Sequence, residues 1–76
     1  MNSMQIYCFL EAARSLNFTF AASTLYITQS TLSKNIIALE QELDVQLFFR
    51  DRRGIRLTPG GSLLYEHLNK LSDLMP

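Results

Sequence analysis

The most regular hydrophobic pattern in the chain runs from residue 28 to residue 43. Leu32, Ile36, Leu39 and Leu43 recur at i, i+4, i+7 and i+11, a single apolar stripe at helical period. Thr28 stands just ahead of the stripe as an N-cap, and the spacing predicts a helix over residues 29–43. Upstream, Ile6, Phe9, Leu10 and Ala13 mark the inner face of a helix over residues 3–16, with Ser3 as its candidate cap. Leu16-Asn17-Phe18 makes a corner, and Asn17 or Thr19 caps a short helix over residues 19–26. In that helix Ala21, Ala22 and Leu25 are small or medium apolar groups, and the paired alanines allow a close helix approach. Ile27 then fixes the angle to the next helix from inside. A short helix, a turn and a longer polar-faced helix form a helix-turn-helix layout.

The period changes after Asp44, which occupies the position of a left-handed helix end. Val45–Arg50 and Ile55–Leu57 read as two short strands joined at Asp51-Arg52-Arg53-Gly54, where Gly54 supplies the positive φ of a tight turn. Leu47, Phe48, Ile55 and Leu57 anchor this hairpin, which forms a wing. Thr58 and Pro59 then cap and start a last helix. Leu64, Leu68, Leu71 and Met75 recur along it, with Leu63 and Leu74 on a flank, and predict a dimer seam over residues 62–75. The expected fold is mainly α: a winged helix-turn-helix over residues 1–58, with a three-helix core and a two-stranded wing. A linker and dimerisation helix starts within 59–76. The apolar pattern runs into the last residues, so a longer protein is expected.

Composition narrows the function classes. Seventy-six residues make one small domain with limited core. The one cysteine, Cys8, has no partner for an internal disulfide and reads as a core thiol. No Cys/His spacing suits a metal, and His67 is a lone histidine on a helix. No carboxylate pair or phosphate loop suggests an enzyme. There is no signal pattern or apolar span, so no membrane association and a cytoplasmic location are expected. Net charge is zero, but residues 50–56 hold Arg50, Arg52, Arg53 and Arg56 against Asp51 alone. Screening confines fields to about 8–10 Å, so a local basic patch can engage phosphates on a neutral domain.

The third helix carries the candidate chemistry. Gln29, Ser30, Thr31, Ser33, Lys34 and Asn35 are amides, hydroxyls and one cation, and no acid precedes Glu40. Such a face, with Thr28 at its end counted among the DNA-binding residues, suits base edges and phosphates in the DNA major groove. Gln29 is placed to pair bidentately with adenine. Arg53, with Arg52 beside it, sits at the wing tip, where an arginine suits a narrow minor groove. Arg50 is either a phosphate contact or an ion-pair partner of Asp51 or Glu42. Glu40 lies far down the helix and is expected to hold the fold or the hairpin. A competing reading is a winged-helix interaction or dimerisation module that does not bind DNA, favoured by the neutral charge and the leucine-rich last helix.

The chain resembles the N-terminal DNA-binding domain of LysR-type transcriptional regulators. The resemblance is carried by Phe9, Ala13, Phe18-Thr19-Phe20-Ala21-Ala22, Leu25, Thr28-Gln29-Ser30-Thr31-Leu32-Ser33, Ile36, Leu39-Glu40 and Leu43. Leu47-Phe48-Phe49-Arg50, Arg53, Leu57-Thr58-Pro59 and Gly61 complete it. It implies that Gln29, Ser30, Ser33 and Lys34 face the major groove and Arg53 the minor groove, with Thr31 and Arg50 on the backbone. It implies a homodimer through the last helix and, in full-length members, a tetramer. It also implies a C-terminal effector-binding domain that resembles periplasmic binding proteins and holds a small-molecule inducer, so no cofactor is expected in this domain. Asp44, Ser30, Gly60 and Lys34 depart from the commoner Gly, Pro, Ala and Arg of the family. At position 34 a lysine gives up the bidentate fork of arginine.

Overall fold

The computed structural model describes the backbone of residues 1–73 and the side chains of residues 1–70. Its first helix, α1 (Ser3–Ser15), starts at the residue expected to cap it, and the cap lies one residue earlier. Asn2, not Ser3, closes the end. Asn2 Oδ1 accepts the Gln5 N–H at 2.8 Å and Gln5 Oε1 accepts the Asn2 N–H at 3.0 Å, a reciprocal capping box. Gln5 three residues on makes Asn2 the better cap, and Ser3 becomes the first helical residue. The inward face is also rotated. Cys8, Phe9, Ala12 and Ala13 are buried, while Ile6 and Leu10 are only half-buried. Burial pushes the Cys8 thiol up from its ordinary pKa, which keeps it a neutral core group.

α2 (Phe18–Thr24) is capped by Asn17, whose Oδ1 accepts the Phe20 N–H at 3.0 Å. Ala21 and Ala22 are buried between the flanking helices. The connection to α3 (Gln29–Leu43) passes through Tyr26 at φ 58°, and the Ile27 N–H returns to the Ala22 carbonyl at 3.0 Å. Ile27 packs half-buried on the core, as expected of the residue that sets the interhelix angle. Thr28 caps α3 through the Thr31 N–H at 3.1 Å. Leu32, Ile36 and Leu39 are completely buried, whereas Leu43 is at the solvent margin. Asp44 adopts the left-handed conformation (φ 54°), and the Val45 N–H reaches back to the Glu40 carbonyl at 3.1 Å to end the helix.

The wing is shorter than expected at its start. β1 (Phe48–Asp51) pairs antiparallel with β2 (Gly54–Leu57), with Phe48 opposite Leu57 and Asp51 opposite Gly54. Residues 45–47 lie outside the strand because their polar groups go to α3 and to Thr58: the Val45 and Leu47 N–H groups are taken by Glu40, and the Gln46 and Leu47 carbonyls by the hydroxyl and N–H of Thr58. Gly54 sits at φ 114°, as the turn requires. Phe48 is the pivot of the core: its ring lies 5.6 Å from that of Phe9 and 5.4 Å, edge-on, from that of Phe18.

α4 (Pro59–Asp73) begins where Thr58 and Pro59 place it. Thr58 Oγ1 accepts the Gly61 N–H at 2.9 Å and donates to the Gln46 carbonyl. This brings the first turn of α4 onto Leu47. The same approach turns Leu64 and Leu68 toward the domain's own core, where both are half-buried. Part of each thus packs on its own domain, while Leu63, 57% exposed, faces out more fully. The side chain of Leu71, and Leu74 and Met75, lie outside the described residues.

A Cβ on Gly61 would lie 2.1 Å from the Leu47 carbonyl oxygen, a backbone atom that cannot step aside. Gly61→Ala gains about 1 kcal/mol of helix propensity but is expected to lose about 1–3 kcal/mol net through this overlap. Urea denaturation of the variant checks it; a midpoint at or above that of the parent would show that α4 is not docked this closely.

Candidate nucleic-acid interface

The N-terminal half of α3 is left bare by the packing of its other face. Gln29, Ser30, Thr31 and Lys34 are exposed, and Ser33 and Asn35 are half-exposed. Two of these groups are spent locally. Thr28 Oγ1 donates to Thr31 Oγ1 at 2.9 Å, and Asn35 Nδ2 donates to the Thr31 carbonyl at 2.9 Å. Gln29 is held from α2, its Oε1 accepting the Thr19 hydroxyl at 3.1 Å. Lys34 has no ion-pair partner among the described residues. No acid stands in the first turn, so the positive end of the helix dipole is uncompensated there.

The arginines of the wing divide into two pairs. Asp51 organises the tip: its Oδ1 accepts the Arg53 N–H at 2.8 Å and its Oδ2 accepts Arg56 at 3.1 Å. Arg56 also lies over the Phe49 ring, 5.2 Å from its centre. Arg50 pairs with Glu40 at 3.1 Å and lies 5.4 Å above the Phe18 ring, so neither Asp51 nor Glu42 is its partner. The strand pleat points Arg50 back toward α3, out of reach of the tip, while Glu42 takes the N-terminal ammonium. Arg52 and Arg53 make no ion pair among the described residues. The two sequence-expected tip residues are thus the two free cations of the wing.

Glu40 joins the two halves. Its side chain is 12% exposed. Oε2 accepts the backbone N–H groups of Leu47 at 2.7 Å and Phe48 at 3.3 Å, and Oε1 accepts Arg50. With three donors its charge is satisfied, which is the structural role expected for it. The wing is therefore fixed to the helix that carries Gln29 and Lys34. Between them lies an open cleft of about 530 Å³ whose lining includes Gln29 and Ser33 from α3, Arg50 and Gly54 from the wing, and Thr19 from α2. Thr19 was legible in the sequence only as a possible cap. Its position beside Gln29 depends on how α2 crosses α3, which no local pattern encodes.

Removing the Glu40 charge should release the wing before the helices. Glu40→Gln is expected to cost about 1–3 kcal/mol of stability. Amide hydrogen exchange at Leu47 and Phe48 should speed up more than at Leu32 or Ile36. Equal acceleration at all four sites would mean that Glu40 supports the whole fold and not the wing.

The comparisons agree with this architecture. Residues 4–62 match the model of the bacterial regulatory helix-turn-helix protein, lysR family. The chain is 45% identical over 67 residues to an uncharacterized HTH-type transcriptional regulator of Methanocaldococcus jannaschii, covering 88% of this chain and 23% of that one. It is 44% identical over 75 residues to the HTH-type transcriptional activator AmpR of Citrobacter freundii, covering 99% of this chain and 25% of that one. It thus spans about a quarter of the length of these relatives. Among solved structures, the BenM DNA-binding domain in complex with catB site 1 DNA superposes with a TM-score of 0.89 at 36% identity, covering 96% of this chain and 82% of that one. A family match across both the helix-turn-helix and the wing, together with the shared fold, leads to one conclusion: this chain belongs to the LysR family of helix-turn-helix regulators.

Proposed function

We propose that the chain is the sequence-reading DNA-binding domain of a LysR-type transcriptional regulator, with α3 in the major groove and the wing at the minor groove. One observation carries this: the acid-free end of α3, with Lys34 unpaired, and the unpaired Arg52 and Arg53 belong to two elements that Glu40 fixes together. In this reading Gln29, Ser30, Ser33 and Lys34 meet base edges, and Arg53 enters the minor groove with Arg52 beside it. Thr31 and Arg50 contact phosphates; Arg50 does so while still paired to Glu40, since its side chain is 37% exposed. Thr28 contributes by capping α3. That the similar BenM DNA-binding domain was solved in complex with DNA supports the DNA-binding reading. The function is regulation by binding and not catalysis, exercised in the cytoplasm, with any inducer held outside these residues.

The free cations set the expected salt dependence. Lys34, Arg52 and Arg53 bring three charges without an ion pair among the described residues into the grooves of the DNA and displace about as many counterions, while Arg50 stays neutralised by Glu40, so log K should fall against log salt with a slope of about −3 per bound protomer. Arg53→Ala should reduce that slope by about 1. Fluorescence anisotropy on mixed-sequence duplex DNA at several salt concentrations measures both. Failure of a folded sample to bind at low salt would contradict the reading and favour an interaction module.

We also propose a homodimer through α4, extending to a tetramer in the longer protein. Leu63 is the exposed large apolar residue among the described side chains of α4, and with Leu43 and Val45 it lines a shallow apolar depression of about 260 Å³. Leu63→Glu should therefore yield a monomer in sedimentation velocity. An unchanged dimer would place the contact elsewhere.

A further inference from the structure

The one side-chain hydrogen bond between α2 and the exposed end of α3 joins Thr19 to Gln29. We infer that Thr19 is a specificity-determining positioning residue, which fixes the Gln29 amide so that it presents its N–H donors to DNA and selects guanine over adenine. This rests on the DNA-binding reading above. The Thr19 hydroxyl donates to Gln29 Oε1 at 3.1 Å. The carbonyl end of the amide is thereby turned toward α2. The Nε2 group, at the other end of the amide, makes no hydrogen bond among the described residues. A glutamine free to rotate pairs with adenine by accepting from N6 and donating to N7 at once. A glutamine whose oxygen is turned toward α2, with one of its two lone pairs taken, brings its two N–H donors to the base first. In the major groove only guanine sets two acceptors, O6 and N7, side by side on one base. The held amide therefore favours guanine over the bidentate adenine pair expected from sequence.

Thr19 can do this because its own position is fixed. It lies in the first turn of α2, one residue after buried Phe18 and two after the Asn17 cap. It lines the same cleft as Gln29 and Ser33. Gln29 follows Thr28, whose cap sets where α3 begins. Both ends of the hydrogen bond are thus held by helix caps before DNA arrives.

The test is selection from a random-sequence duplex pool, followed by sequencing, with the parent chain, Gln29→Ala, Thr19→Val, Thr19→Ser and the Thr19→Val/Gln29→Ala double variant. Circular dichroism confirms that each is folded. Gln29→Ala should lose preference at one base position per half-site, which identifies the base that Gln29 reads. The parent should prefer guanine there. Thr19→Val keeps the shape and removes the hydroxyl; it should lower the guanine-to-adenine ratio at that position roughly tenfold, the scale of one base-edge contact. Thr19→Ser should restore the parental ratio, and Thr19→Val should change nothing further once Gln29 is absent. A parental preference for adenine at that position would overturn the proposal. So would a Thr19→Val variant that keeps the parental ratio, or one that weakens all sequences equally as loss of a phosphate contact does. If the parent chain retains no DNA even at low salt, the DNA-binding reading itself fails and this proposal with it.

Discussion

Glu40 leaves α3 near its C-terminal end and gives both carboxylate oxygens to the chain that follows. Oε2 takes the N–H groups of Leu47 and Phe48, and Oε1 takes Arg50. A carboxylate this enclosed is costly unless each oxygen is occupied, and here the donors are two otherwise unpaired backbone groups and a guanidinium. The bond decides where the segment between α3 and the wing can lie. Thr58 fixes the same segment from the other side, through the Gln46 carbonyl and the Gly61 N–H. With its polar edges held, the segment delivers Leu47 and Phe48 into the core, and Phe48 closes against Phe9 and Phe18. The wing, α3 and the start of α4 are positioned together by this one short stretch.

That constraint explains how a neutral domain can present a basic surface. Of the four arginines around the wing, Arg50 and Arg56 are committed to Glu40 and Asp51 and to the rings of Phe18 and Phe49. They stiffen the hairpin. Arg52 and Arg53 remain at the tip, and the Asp51 side chain bonded to the Arg53 N–H shapes the turn that projects them. The acids of α3, Glu40 and Glu42, lie at the end of the helix away from Gln29 and Lys34. Charge is balanced over the molecule and separated along it.

Much of this was legible in the chain because the signals are local. Thr28, the Leu32–Ile36–Leu39 stripe, Gly54 and Thr58-Pro59 each act within a turn or two of backbone, and each stands where its pattern placed it. Glu40 was legible as structural from its distance down the helix. The misplaced features depend on distant partners or on competition between neighbours. Asn2 displaces Ser3 as the cap because Gln5 completes a reciprocal pair. How far Leu64 and Leu68 turn toward the core depends on the close approach of α4 at Gly61, which the leucine spacing does not encode. The choice of Glu40 as partner for Arg50 follows from strand register. The Thr19–Gln29 bond follows from the crossing of α2 and α3, which is a tertiary fact.

The central claim is that the first turns of α3 and the tip of the wing form one fixed surface that meets DNA. Backbone amide shifts of the isotopically labelled chain, followed by NMR during titration with duplex DNA at low salt, test it most directly. The amides of residues 29–35 and 52–54 should move together along one titration curve, while those of Tyr7 and Glu11 on the outer face of α1 stay in place. Shifts confined to α1 or α4, or a wing that stays silent while α3 responds, would contradict it.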